Sequence, residues 1–209
     1  MVLWNNYELN TALKSNISYF GKDFNDSITN VIFDSRSAID GSLFIAKKGE
    51  NSDGHNYVAD VLKNPKCFAI VDRLEDSYKE YKERLIIVDD TVKSFENLAI
   101  YSRERLNKNA KVIAITGSLG KTSTKDLFCT VLSHFGKAYT NVMSFNSYFG
   151  ILTTLANLPK DTDYYIQEMG MGKPGDLKMT GTFVKPQIAI ITTVVAAHAE
   201  FFDGKEEEI

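Results

Sequence analysis

The sequence predicts an α/β protein in two parts. A small amino-terminal α/β unit is followed by a mostly parallel, helix-covered sheet built around a phosphate loop. Three observations predict this. Residues 112–193 alternate short apolar runs with segments of helical period, the order that gives a parallel sheet between helices. The run Val112–Thr116 opens directly into Gly117-Ser118-Leu119-Gly120-Lys121-Thr122-Ser123, the strand–glycine loop–lysine–helix order of a phosphate cradle. Residues 31–88 hold short apolar runs separated by polar, glycine-punctuated turns, as a small α/β unit requires.

The elements follow in order. Residues 5–14 read as a short helix with Asn6 as its cap and Leu9, Ala12 and Leu13 on one face. Val31-Ile32-Phe33 reads as a strand entering Asp34-Ser35-Arg36, and Leu43-Phe44-Ile45-Ala46 as another after the Asp40-Gly41 turn. Residues 47–55 form a polar loop, 56–63 a helix, and Cys67–Val71 and Leu85–Val88 two strands. Thr91 to Asn107 is a long amphipathic helix with Val92, Phe95, Leu98, Ala99 and Leu106 inward. The domain boundary is expected in or just after it: residues 1–90, a connecting helix over 91–110, and 111–209. The second half then reads strand 112–116, helix 121–135, strand 138–140, helix 150–157, strand 164–168, helix 175–183 and strand 188–193. Leu127, Phe128, Val131, Leu132 and Phe135 are the expected inner face of helix 121–135, and 188–193 the expected buried strand.

Composition narrows the function classes. Of the 209 residues, 44% are hydrophobic and 24% charged, which fits a globular chain with enough core to stand alone. A net charge of −3 gives no basic surface for nucleic acid. No apolar run reaches the length of a membrane span, and the first residues lack a basic signal-peptide head, so a cytoplasmic protein is expected. Cys67 and Cys129 both lie in apolar segments, where core packing in a reducing compartment is expected.

The candidate chemistry lies at strand ends, beyond which ligands bind in such sheets. Backbone N–H groups from Thr116 to Ser123 and the helix N-terminus are placed to hold phosphate oxygens, Lys121 to reach the terminal phosphates, and Thr122 to ligate Mg²⁺. The string departs from the full motif, because Ile115 stands where its first glycine belongs. Glu168 ends a strand before Gly170 and is expected to face Thr122 as a metal ligand or water holder. His198, just past the last strand, is expected where these two converge; Asn141, Asn146 and Ser147 lie in a polar loop beside them. In the first half, Ser35 and Arg36 could take a diphosphate or a uracil edge. Lys48, Asp53 and His55 share a loop; His55 reads as a capping or solvated histidine in no metal motif.

These motifs, taken together, resemble the Mur ligases. Thr116-Gly117-Ser118-Leu119-Gly120-Lys121-Thr122-Ser123-Thr124-Lys125, Asn146-Ser147-Tyr148-Phe149-Gly150, Glu168-Met169-Gly170-Met171 and Ala197-His198-Ala199-Glu200-Phe201-Phe202 are similar, in that order, to motifs of the family's central domain. Asp34-Ser35-Arg36, Leu43-Phe44-Ile45-Ala46, Lys48-Gly49-Glu50 and Asp53-Gly54-His55 are similar to its UDP-substrate domain. The wording is nearest to members that add D-alanyl-D-alanine to a UDP-N-acetylmuramoyl tripeptide. The resemblance implies an ATP-dependent, Mg²⁺-requiring amide ligase that works through an acyl phosphate. Lys121, Glu168 and His198 would be its catalytic residues, and Thr122, Glu168 and His198 its metal ligands. Residues Thr116 to Ser123 with Asn146 would bind nucleotide, and Ser35, Arg36 and Lys48 the UDP moiety. A monomer without nucleic-acid or membrane partners is expected.

Two departures from the family pattern stand out. Asn146 is followed by Ser147 rather than a second asparagine, in a loop one residue longer. The family's third domain and its lysine following the stretch that ends at Ile209 are not in this sequence, so the chain is read as part of a longer ligase, inactive alone. Alternatives are the sister ligase that adds a single diamino acid to the UDP-muramoyl dipeptide, a non-catalytic nucleotide-binding module, and a generic P-loop kinase or NTPase.

Overall fold

The computed structural model describes residues 1–22, 24, 28–49, 52–142 and 145–195. The chain divides into two compact units, Met1–Tyr101 and a second beginning at Ser102.

The first unit opens with helix α1 (Asn6–Leu13) and strand β1 (Ile17–Phe20). The cap of α1 is Asn5, not Asn6. Asn5 Oδ1 accepts the Glu8 N–H at 2.8 Å, and Glu8 returns a bond to the Asn5 N–H. That reciprocal pair satisfies two donors a helix start leaves open. Strands β2 (Asn30–Ile32), β3 (Ser42–Ile45), β4 (Phe68–Val71) and β5 (Leu85–Val88), with helix α2 (Val58–Leu62), complete the unit's sheet layer. The strand order is β1-β5-β4-β3-β2, with β2 to β5 parallel and β1 antiparallel on β5. All four side chains of β3 and of β4 are buried, as apolar strands of a covered parallel sheet should be. Strand β1, absent from the sequence reading, pairs across some seventy residues with a shift of register, a long-range contact that local pattern does not announce.

Helix α3 (Thr91–Glu104) spans the division and stops short of the predicted Asn107. The second unit then runs β6 (Lys111–Thr116), α4 (Lys121–Leu132), β7 (Ala138–Thr140), α5 (Tyr148–Ala156), β8 (Tyr164–Glu168), α6 (Asp176–Val184) and β9 (Ile188–Ile191). Its sheet has the order β7-β8-β6-β9, every pair parallel. Helix α4 packs on β6, β7 and β8, and α5 on α6.

Two expectations about burial are corrected. Phe128, Cys129 and Leu132 of α4 pack against Ile113, Ile115 and Ile166, whereas Leu127 is 62% exposed and Phe135 74%. The helical period selected a stripe wider than the face the sheet covers. Strand β9 is largely exposed rather than buried, because it lies at the sheet edge and pairs, among the described residues, with β6 alone.

Candidate nucleotide and metal site

Strand β6 delivers the chain into the loop at Gly117. Gly117 has φ +129° and Gly120 φ +79°, backbone states that L side chains avoid. A Cβ on Gly117 would lie 2.4 Å from Thr192 Oγ1, so close approach also demands glycine there; at Gly120 the space is open and only the backbone angle requires it. The loop is fastened to the chain beyond β9. Ser118 N–H donates to the Thr193 carbonyl at 2.6 Å, and Thr192 Oγ1 to the Leu119 carbonyl at 2.5 Å. Lys121, the first residue of α4, turns back over the loop, its Nζ 2.6 Å from the Gly117 carbonyl and 3.2 Å from that of Ser118. Exposed N–H groups at a helix start, with an ammonium beside them, favour anions.

The neighbouring strand tip supplies the acid. Ile115 and Glu168 are paired across β6 and β8, so the carboxylate emerges beside the start of the loop. Glu168 is 1% exposed. Its Oε2 accepts from Thr122 Oγ1 at 2.8 Å, and its Oε1 from Asn146 Nδ2 at 2.7 Å. Its backbone N–H donates to Asn141 Oδ1 at 2.9 Å. The structure therefore brings Thr122, Glu168 and Asn146 into one cluster beside Lys121. His198 lies outside the described residues. A cavity of about 360 Å³ opens alongside, lined by Lys121, Asn146, Tyr148, Met171, Asp176 and Met179 among others.

In the first unit a second cavity of about 360 Å³ is lined by Phe33, Ser35, Arg36, Lys47, Ser52 and Tyr57 among others. Ser35 and Arg36 are there as expected, but the lysine on the wall is Lys47; the backbone of Lys48 forms an isolated β-bridge with that of Asp53. Alternation along an extended segment sends adjacent lysines to opposite sides, and the sequence offered no phase to choose between them. Arg36 forms a forked pair with Asp34, its Nε 2.9 Å and its Nη2 2.6 Å from the two carboxylate oxygens. That hydrogen bonding holds the Asp34 carboxyl below the usual range. His55 is neither solvated nor on the cavity wall. It is fully buried, Nδ1 2.7 Å from Asp53 Oδ1 and Nε2 3.2 Å from Asp72 Oδ1. Arg73 ties Asp53, Asp72 and Glu75 together behind it. The aromatic wall of Phe33, Phe44 and Tyr57 was missed, since each reads locally as strand or turn filler.

A glycine loop between a parallel strand and a helix, with a hydroxyl and a carboxylate meeting beside it, defines the class of P-loop nucleotide-binding proteins. Residues 115–209 match the model of the Mur ligase middle domain. Over 208 residues the chain is 36% identical to the UDP-N-acetylmuramoyl-tripeptide–D-alanyl-D-alanine ligase of Rickettsia prowazekii, covering 99% of this chain and 44% of that protein. Among solved structures it is similar to a crystal structure of MurF from Acinetobacter baumannii, with a TM-score of 0.81 and 34% identity, over 100% of this chain and 45% of that one. It is also similar to the MurF ligase of Thermotoga maritima in complex with ADP, with a TM-score of 0.68 and 26% identity, over 87% of this chain and 41% of that one. The chain belongs to the Mur ligase family. It spans less than half the length of these relatives.

Proposed function

We propose that this chain is the UDP-substrate and ATP-binding part of an amide ligase that joins D-alanyl-D-alanine to a UDP-N-acetylmuramoyl tripeptide. The observation that carries the reading is the cluster of Thr122, Glu168 and Asn146 at the mouth of the Gly117–Lys121 loop. The names of the similar ligases supply the substrates. Residues 1–90 would hold the UDP end through Ser35, Arg36 and Lys47. Residues 111–209 would hold ATP, with 91–110 connecting the two. Two of its three substrates, ATP and the UDP-linked peptide, carry nucleotides, so the cytoplasm is the setting that suits it, and a monomer suffices.

The donor set suits Mg²⁺. Thr122 offers a hydroxyl and Glu168 a carboxylate, hard oxygen ligands of the kind Mg²⁺ takes alongside waters and substrate phosphates. When bound, the ion neutralises charge on the phosphates. Lys121 and the N–H groups at the start of α4 bind and orient the γ-phosphate, the Ser118 N–H being given to the Thr193 carbonyl. The peptide carboxylate attacks that phosphorus and the bond to ADP breaks; the amine then attacks the acyl carbon, and phosphate and a proton leave. His198 is assigned to a second ion on the family motif alone.

A substrate panel with the full-length polypeptide tests the reading. ADP, phosphate and the D-alanyl-D-alanine adduct are expected from the UDP-muramoyl tripeptide. Turnover only with a diamino acid on the dipeptide would make it the sister ligase, and Mg²⁺–ATP binding without turnover on any muramoyl peptide would make it a binding module. The 209 residues alone are expected to bind nucleotide without forming the amide, and amide formed by them would contradict that.

A further inference from the structure

Lys125 and Glu168 are, among the described residues, the two charged side chains buried in the second unit, 2% and 1% exposed. Burying an isolated charge is costly unless it is paired or fully hydrogen-bonded, so a buried lysine beside the proposed site calls for a reason. Lys125 lies one turn along α4 from Thr122, three residues on and hence on the adjoining face. Its Nζ donates to the Asn141 carbonyl at 3.1 Å and lies 3.2 Å from Asp126 Oδ1, whose own side chain is mostly exposed. Asn141 follows β7 directly and is itself 1% exposed; its Oδ1 accepts the Glu168 N–H at 2.9 Å. One helix thus grips Glu168 twice. Thr122 holds the carboxylate directly, and Lys125 holds the backbone at the end of β8 through Asn141.

We propose that Lys125 is a positioning residue for Glu168. By fixing Asn141 it sets where the carboxylate projects, so Mg²⁺-dependent nucleotide binding relies on a lysine outside the ligand set. This rests on the reading of Glu168 as the Mg²⁺ carboxylate. Outer partners that orient metal ligands typically contribute about 10- to 100-fold in metal affinity.

The test is calorimetric titration of the chain with ADP, in EDTA and in Mg²⁺, with thermal melting as the check on folding. Lys125→Met is expected to leave ADP affinity in EDTA unchanged and to lower apparent Mg²⁺ affinity about 10- to 100-fold. Asn141→Ala, which removes the same link from its other end, is expected to do likewise and decides the matter if Lys125→Met does not fold. Added to Glu168→Gln, Lys125→Met should cause no further loss of the Mg²⁺ effect. An equal fall of affinity in EDTA and in Mg²⁺ would mean a merely structural lysine and overturn the proposal. So would a full Mg²⁺ effect in both single variants while Glu168→Gln loses it, with the site reading intact. A full Mg²⁺ effect in Glu168→Gln would remove the site reading and this proposal together.

Discussion

At Glu168 two neutral donors, Thr122 Oγ1 and Asn146 Nδ2, converge on one buried carboxylate. A glutamine can keep both bonds by turning its carbonyl to Asn146 and its amide to Thr122, so Glu168→Gln should melt within a few degrees of the parent while Mg²⁺ no longer strengthens ADP binding. Lys121→Ala removes an ammonium placed for phosphate; with charge-assisted bonds worth about 1.5–3 kcal/mol, nucleotide affinity should fall roughly 10- to 100-fold at unchanged melting temperature. In the first unit, burial by itself would raise the Asp53 carboxyl, but the His55 backbone N–H, Arg73 and the His55 ring outweigh it and depress it well below its ordinary value. A depressed carboxylate binds fewer protons folded than unfolded. Its stabilisation is therefore complete above the unfolded value near about pH 4 and is lost as pH falls through the lower folded value. Asp53→Asn should flatten that part of an acid-unfolding curve followed by circular dichroism. Of these residues, Lys121, Thr122 and Glu168 could be singled out from the sequence, the first two because they follow β6 at motif spacing and Glu168 because it ends β8 before a glycine. His55 was not, since its partners Asp72 and Arg73 come from the far end of β4.

The glycine loop separates two effects at the level of the element. Gly120→Ala meets open space and only the left-handed backbone cost, about 1–2 kcal/mol. Gly117→Ala adds a collision with Thr192 to an unfavourable angle, and should destabilise more and weaken ADP binding further, both readable by melting and titration. The capping box of α1 gives a smaller effect; Asn5→Ala should cost about 1 kcal/mol in urea unfolding. Helices and parallel strands were legible to within about three residues at their ends, the carboxyl ends of α3 and α4 being the widest misses, because period and length identify elements better than their boundaries. Strand β1 and the exposed side of α4 were not. The first needs its distant partner β5 to exist as a strand, and the second depends on how much of a helix the sheet covers.

For the molecule as a whole, each candidate cavity is lined by one unit only. Arg36→Ala or Lys47→Ala should weaken binding of a UDP-muramoyl peptide about tenfold, the loss of one charge-assisted bond, and leave Mg²⁺–ADP affinity unchanged; calorimetry with the two ligands separately would show it. The sequence by itself determined the α/β class, the strand–loop–helix cradle and the order of the motifs. Those depend on local spacing, and local spacing is written along the chain. Only the tertiary structure decided that Glu168 meets both Thr122 and Asn146, that Lys47 rather than Lys48 faces the cavity, and that Lys125 is buried behind Asn141. Each of those depends on strand register, side-chain phase or burial between segments far apart in sequence, which no short run of residues encodes.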